Sequence, residues 1–338
     1  MIFRIVLIAG TLVSMYFVPW PILKAFLRPV PDTVEEQLEQ SLAFSFRGAM
    51  ASVVKANGEI NNYAAGWHNH EETVEAYPQA YFKIASISKL YDVACLSKLV
   101  HQKKLNLDSS LTYFFPSWAH RLEYADQITL RMLVQHRSGI YNFTNSPGFW
   151  SNPPKNEEAL MNLFLDRPNN FKPNEDYEYC NTNYYLIEKI IELASQENKF
   201  EFLKREILIP NKLFHTFGNK AQLEMDSLIS GYYVGVDEDI KTADYSSMVA
   251  TTADVGRFVY ALNTGSLFSA KEHEIFKSLY PTNHTGLIPG YQSYAEYFPE
   301  IDAVVVLSLN STNFEGYEWN LGSIAHNRIK KIVKKQDS

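Results

Sequence analysis

The chain reads as an α+β fold: an antiparallel sheet flanked by helices, with a mainly helical lobe inserted into it. Three observations predict this. Strand-like segments with a hairpin signal fill Met50 to Trp67, and strand-like segments return from about Asn283 to Leu309. Between them, from about Leu105 to Ser247, the sequence is largely helical and rich in loops. Strands at both ends with helices between imply a sheet assembled from distant parts of the polymer. The expected division places residues 31–95 and 250–338 in an α/β lobe and residues 96–249 in the helical lobe, with the cleft between them, a common place for ligands. Residues 1–30 precede both.

The elements follow in order. After Met1-Ile2-Phe3-Arg4, an uncharged run extends from Ile5 to Leu23. That approaches the roughly 20 residues needed to cross a bilayer, and no Ala-x-Ala cleavage pattern follows it. The expectation is an uncleaved membrane anchor, with a cleaved signal and secretion as runner-up. Arg4 on one flank and Lys24 and Arg28 on the other leave the positive-inside rule nearly silent. A short linker, Arg28-Pro29-Val30-Pro31-Asp32, leads into a first helix from Thr33 to about Phe46. A strand then ends at Asn57-Gly58, a hairpin turn signal. A helix carrying Ser86 runs to about His101, and a basic amphipathic helix with Ile324, Ile329, Ile332 and Val333 on its apolar face closes the chain.

Ser86-Ile87-Ser88-Lys89 carries the strongest chemical signal. An extended apolar approach, Tyr81-Phe82-Lys83-Ile84, runs into a helix there. A serine at a helix start has its hydroxyl near unpaired N–H groups, and a lysine three positions on returns to the same face. An amine beside a hydroxyl is what a weak nucleophile needs. Ser52-Val53-Val54-Lys55 repeats the motif, but on a strand positions i and i+3 point to opposite faces, so that copy is coincidence. Later in the chain come Tyr179-Cys180-Asn181, on a turn-rich segment before an apolar helical run, and His284-Thr285-Gly286, before a strand-like segment.

Taken in order, these three motifs resemble those of the serine β-lactamase-related hydrolases, on the side of class C β-lactamases, D-alanyl-D-alanine peptidases, penicillin-binding proteins and related esterases. The likeness runs from about Phe46 to about Leu309. His136-Arg137-Ser138-Gly139 resembles the family's segment around a His-x-Ser-Gly, and Thr251-Thr252-Ala253-Asp254 its helix start between the second and third motifs. The resemblance implies the β-lactamase/transpeptidase-like fold and a serine hydrolase working through an acyl-enzyme. The implied substrate is a D-alanyl peptide, amide or related ester, including cell-wall peptide, with carboxylesterase or β-lactamase activity as the alternative on the same site. Ser86 would be the nucleophile. Lys89 and Tyr179 would handle the proton, and the residues do not choose between them: holding a tyrosine as phenolate at pH 7 costs about 4 kcal/mol, while a neutral lysine is the other option. Asn181 would donate to the substrate amide, His284, Thr285 and Gly286 would form the edge strand along the cleft, and the backbone N–H groups of Ser86 and Leu287 would hold the oxyanion. Exported substrates would place the catalytic lobe outside the cytoplasm. An expectation of a different class keeps the fold in a membrane-anchored sensor that binds or acylates without turnover.

There are departures. His284 stands where class C β-lactamases usually carry lysine, and a histidine is a weaker cation at neutral pH. Cys180 fills a slot where Ser or Ala is common. Each site residue also has a structural role available: Ser86 and Asn181 as helix caps, Lys89 as a solvated helix lysine, Tyr179 as a core aromatic, His284 as a packed strand residue. Arg137-Ser138-Gly139 mimics the third motif but belongs to a helix end.

Composition excludes several other classes. The 338 residues are 46% hydrophobic and 20% charged, with a net charge of −7 and no basic stripe, so nucleic acid is not an expected partner. Two cysteines, Cys95 and Cys180, make no disulfide framework. Neither Gly-x-Ser-x-Gly nor Gly-x-Gly-x-x-Gly occurs, and no His-Glu-x-x-His, so neither a cofactor nor a metal is expected. His68 and His70, strand-alternate on a hairpin, are read as exposed rather than metal-ligating.

Overall fold

Two faces of one sheet organise the molecule. The computed structural model describes residues 15–336. Helices α1 (Trp20–Leu27) and α2 (Val34–Leu42) precede a hairpin of β1 (Gly48–Lys55) and β2 (Ile60–Gly66). The long helices α3 (Ser88–His101) and α4 (Asn181–Ser195) belong to the helical part. Helices α5 (Thr252–Thr264) and α6 (Ala270–Leu279) lead back to β3 (His284–Ile288), β4 (Tyr291–Phe298) and β5 (Ala303–Leu309), and α7 (Glu318–Gln336) follows. The sheet order is β2-β1-β5-β4-β3, antiparallel at every step.

Side chains alternate strictly across this sheet. Ala49, Ala51 and Val53 of β1 and Val305, Leu307 and Leu309 of β5 join Leu38 of α2 and Ile329, Ile332 and Val333 of α7 in one core. Met50, Val54, Val304 and Val306 point the other way, into the larger core shared with α3, α4 and α5. Both central strands are therefore buried on both faces, which is why they read as near-continuous apolar runs. Each fully buried aliphatic side chain of α7 contributes about 1.5–3 kcal/mol, which is ample to hold a helix whose other face is rich in lysine.

The hairpin turn is where Asn57-Gly58 puts it, with Gly58 at φ +84 and its N–H bonded to the Lys55 carbonyl at 3.0 Å. The second Ser-x-x-Lys copy is structural: Ser52 is buried and its hydroxyl lies 2.6 Å from that of Thr252, tying β1 to the start of α5. The first helix is shorter than the sequence pattern suggests. It starts after its Thr33 cap but ends at Leu42, and Phe44 and Phe46 pack from the turn that follows.

The reading of the two hairpin histidines changes. His68 is buried, with Nε2 2.7 Å from the Asp226 carbonyl and its ring stacked on Tyr77; the hairpin is covered by a later loop that local sequence does not announce. His70 stacks on Tyr232. The apolar run Ile5–Leu23 lies mostly outside the described residues, and within them no helix is long and apolar enough to cross a membrane. Cys95 and Cys180 are both free thiols and both buried.

Candidate active site

The turn that carries Ser86 is distorted before it becomes a helix. Ala85 sits at φ +49, a conformation unfavourable for a residue with a Cβ and one that only surrounding structure sustains. Its N–H is held by Ser247 Oγ at 2.9 Å, and Ile84 N–H bonds the Met248 carbonyl at 3.0 Å. A single 3₁₀ turn, Ala85–Ile87, then passes into α3. The capping position falls on Ile87 and no side chain caps the helix. Ser86 is therefore not the cap that its position allowed, and its hydroxyl is left to Lys89.

Lys89 reaches back one turn. Its Nζ donates to Ser86 Oγ at 3.1 Å and to Asn181 Oδ1 at 3.0 Å, and the residue is only 6% exposed. The same Nζ lies 5.0 Å from the Tyr179 ring centre and 5.2 Å from that of Tyr184. The Tyr179 hydroxyl is buried and has no hydrogen-bond partner among the described residues. Buried hydroxyls are rarely left in that state. Two segments about ninety positions apart thus meet at one amine.

Helix α4 supplies the other half. It starts at Asn181 with Cys180 in the capping position, again with no side-chain cap, so the Asn181 amide is not spent on capping and faces Lys89. Its Oδ1 accepts from Lys89 and its Nδ2 donates to Thr144 Oγ1 at 3.1 Å. Thr144 in turn donates to Asn142 Oδ1 at 3.0 Å, and Asn142 Oδ1 accepts from the Asn181 backbone N–H at 3.1 Å. Below this ring, Lys199 bridges Asp92 of α3 and Glu188 of α4, both at 2.9 Å. That ion network fixes the spacing between the helices that carry Lys89 and Asn181.

The edge strand closes the third side. A Cβ at Gly286 would come within 2.4 Å of the Ile84 carbonyl oxygen and 2.5 Å of Ser293 Oγ, so glycine is what lets β3 lie against the turn that carries Ser86. Thr285 is exposed beside it, and Leu287 pairs with Gln292 of β4. His284, half-buried, packs its ring 6.3 Å from that of Tyr179. Its Nε2 lies 2.8 Å from the Tyr280 hydroxyl and its Nδ1 2.5 Å from the Thr285 carbonyl. An Nδ1–H donor with Nε2 accepting from Tyr280 satisfies both contacts, and that is a neutral ring. Burial, with Lys89 nearby, pushes the His284 imidazole down to about 4, so it is uncharged at neutral pH.

The structure therefore brings Ser86, Lys89, Tyr179, Asn181 and the His284-Thr285-Gly286 strand to one place. It also brings residues to which the sequence reading gave no role in the site. His136 lies against Tyr179, ring centres 4.5 Å apart. Its Nδ1 accepts from the Cys180 N–H at 3.0 Å, and burial followed by the charge of Lys89 holds it down to about 3, a neutral ring. The His-x-Ser-Gly segment thus supports the Tyr179 turn, while Ser138 bonds Asn183 of α4 at 2.7 Å. Asn142 and Thr144 belong to a polar turn just beyond that segment.

The Beta-lactamase family model matches residues 32–282. The chain belongs to the Beta-lactamase family. Among its relatives, "Protein flp" of Staphylococcus aureus (strain MW2) is 26% identical over 172 residues, 50% of this chain and 34% of that protein. "Teichoic acid D-alanine hydrolase" of Staphylococcus aureus is 24% identical over 270 residues, 76% of this chain and 64% of that protein. The chain thus spans only about a third of the length of the first of these relatives. Among solved structures, the D-amino acid amidase of Ochrobactrum anthropi SV3 superposes with a TM-score of 0.78 at 22% identity, covering 90% of this chain and 98% of that one. The sheet and helices described above are thus those of the β-lactamase/transpeptidase-like fold, shared by a family of serine hydrolases.

Within this Beta-lactamase-family site, the hold of Thr144 on Asn181 is testable. Thr144→Val keeps the shape of the side chain and removes the oxygen that accepts from Asn181 Nδ2. We expect kcat/KM to fall about tenfold, which is about 1.4 kcal/mol of transition-state stabilisation. An unchanged value would mean that Lys89 and the backbone alone position the Asn181 amide.

Proposed function

We propose that the protein is a serine hydrolase that cleaves D-aminoacyl amides, D-alanyl peptides or related esters through an acyl-enzyme on Ser86. The observation that carries this reading is the Lys89 amine, held at once 3.1 Å from Ser86 Oγ and 3.0 Å from Asn181 Oδ1, beside a buried phenol with no hydrogen-bond partner among the described residues. Ser86 Oγ attacks the substrate carbonyl, its proton passes to the Lys89–Tyr179 pair, and the pair returns a proton to the departing amine or alcohol. Water then hydrolyses the ester on Ser86, which releases the acid and restores the hydroxyl. The backbone N–H groups of Ser86 and Leu287 are the proposed oxyanion donors, and the second hydrogen of Asn181 Nδ2 is offered to the substrate amide.

The neutral, doubly bonded ring of His284 supports a preference within this class. A substrate with a free carboxylate meets no fixed cation there, so amide and ester ends are favoured over acids. The names of the related D-amino acid amidase and D-alanine hydrolase agree with that preference. A His284→Lys variant should raise the ratio of kcat/KM for a D-alanyl acid over the matching amide by about tenfold, or ~1.4 kcal/mol. A ratio that does not move removes His284 from the specificity argument.

The deciding experiment is a panel of chromogenic D-aminoacyl amides and esters, D-alanyl peptides and β-lactams, followed to many turnovers. Steady release on a D-aminoacyl amide or ester supports the proposal. One stoichiometric burst and no further product would point to a sensor, and no acylation by any member would refute the reading.

A further inference from the structure

One edge of the molecule differs from the rest of its surface. Tyr16, Phe17, Phe26 and Leu27 are 67–85% exposed, with Trp20 and Leu23 at 41% and 36%. Scattered apolar residues are ordinary on a protein surface, but a contiguous set marks a contact site. Ala25 is the buried residue of α1. The sequence just before, from Ile5 to Ser14, contains no charged residue.

This edge is not loosely attached. Arg328 of α7 is only 6% exposed, and its guanidinium donates to the carbonyls of Arg28 at 2.6 Å and Ala25 at 3.4 Å, to that of Pro29, and to Gln37 Oε1 at 2.6 Å. A buried planar fork that collects the carbonyls at the end of a helix acts as a clamp. Further along α7, Lys335 Nζ meets Asp32 Oδ1 at 2.6 Å and Gln336 donates to the Asp32 carbonyl at 3.2 Å. The last turns of α7 therefore run beside α1 and its linker; Lys331 lies between Arg328 and Lys335 along that side of the helix, and Lys24, Arg28 and Lys331 are all exposed.

We infer that α1 and the basic end of α7 form a single surface that docks on an anionic lipid bilayer and holds the catalytic domain in a fixed orientation, rather than at the end of a free tether. Leu23, Phe26 and Leu27 of α1 enter the acyl boundary, Trp20 and Tyr16 sit at headgroup level, and Lys24, Arg28 and Lys331 face the phosphates. Exposed Glu35, Glu36 and Glu39 on α2 confine the contact to α1 and the tip of α7. Because α2 and α7 pack on one face of the sheet and α3 belongs to the core on the other, Ser86 is turned away from the lipid, toward substrates on the aqueous side.

The test uses the full chain in phosphatidylcholine vesicles containing phosphatidylglycerol. Both native thiols are buried, so a maleimide dye reports on an introduced surface cysteine. Lys331→Cys and Glu175→Cys place it on the proposed docking edge and on the exposed helical lobe. With brominated lipids, the dye at position 331 should be quenched several-fold more than the dye at 175. Adding Arg328→Gln should bring the two positions level while the protein still co-sediments with vesicles and still hydrolyses ester in detergent. Equal quenching at both positions in the otherwise unaltered chain overturns the docked orientation. Unchanged quenching in Arg328→Gln overturns the clamp. Energy transfer between labelled chains with no bromine quenching would show that a second copy covers this edge, and would also overturn the inference.

Discussion

Ser86→Ala should abolish the proposed covalent intermediate and lower turnover by about 10⁴–10⁶-fold, the scale on which loss of a nucleophilic serine acts. The protein itself should be unharmed. Ser86 Oγ does not cap α3, and it accepts a hydrogen bond from Lys89. The variant deletes one oxygen from a turn whose shape is set by other bonds, those of Ala85 to Ser247 and of Ile84 to Met248. Thermal denaturation should therefore shift by no more than a few degrees. The measurement is intact-protein mass spectrometry after incubation with a slowly released acyl donor, such as a fluorescent penicillin or an activated D-alanyl ester. A mass increase equal to the acyl group, located on the Ser86 peptide and lost in Ser86→Ala, is the expected result. An adduct of the same mass in the variant would mean that another nucleophile carries the chemistry. What remains in the variant reflects binding and the backbone donors alone, so it should resist further substitution: adding Lys89→Met to Ser86→Ala should cost almost nothing more.

Much of this arrangement was legible before any coordinates. The near-continuous apolar runs of β1 and β5 and the apolar stripe of α7 announce their elements, because burial of both faces of a strand, or of one face of a helix, leaves a trace in sequence. Ser86 and Lys89 stand out because a hydroxyl and an amine one helical turn apart share a face; Tyr179, Asn181 and His284 stand out because their short motifs, taken in order, resemble those of the serine β-lactamase-related hydrolases. The roles of Asn142, Thr144 and His136 left no such trace. Each acts through a side-chain contact with a segment about forty positions away, and a polar turn with asparagine and threonine is equally suited to an ordinary loop. Tyr280 escaped for a similar reason: its hydroxyl matters because the turn after α6 aims it at His284, and one tyrosine among 21 carries no label. The same blindness explains His68, which looked exposed on its hairpin and is buried under a loop from residues 226–230. Helix ends were also hard to place. At α2 the cap at Thr33 was readable from residue type, whereas the stop at Leu42 follows from Phe44 and Phe46 turning into the core.

Tyr179→Phe should separate function from stability more cleanly than any other change in this site. The substitution removes a single hydroxyl that is buried and has no partner among the described residues. A polar group left unsatisfied costs about 1–3 kcal/mol relative to a satisfied or absent one, so the phenylalanine variant should melt at the same temperature or a few degrees higher. Its turnover should nevertheless fall by about 10²–10⁴-fold, the contribution of a positioned acid or base. Lys89→Met makes the complementary case. It removes the donor shared by Ser86 Oγ and Asn181 Oδ1, so it should depress activity at least as far and also lower the melting temperature, because a buried amide oxygen loses its partner. The pH dependence of kcat/KM then assigns the proton. If the phenol receives it, Tyr179→Phe eliminates one limb of the profile that Lys89→Arg retains in shifted form. If the amine receives it, Tyr179→Phe keeps the limb and lowers its height. A Tyr179→Phe variant that is more stable and fully active would reduce the residue to packing and would leave Lys89 as the whole of the proton-transfer apparatus.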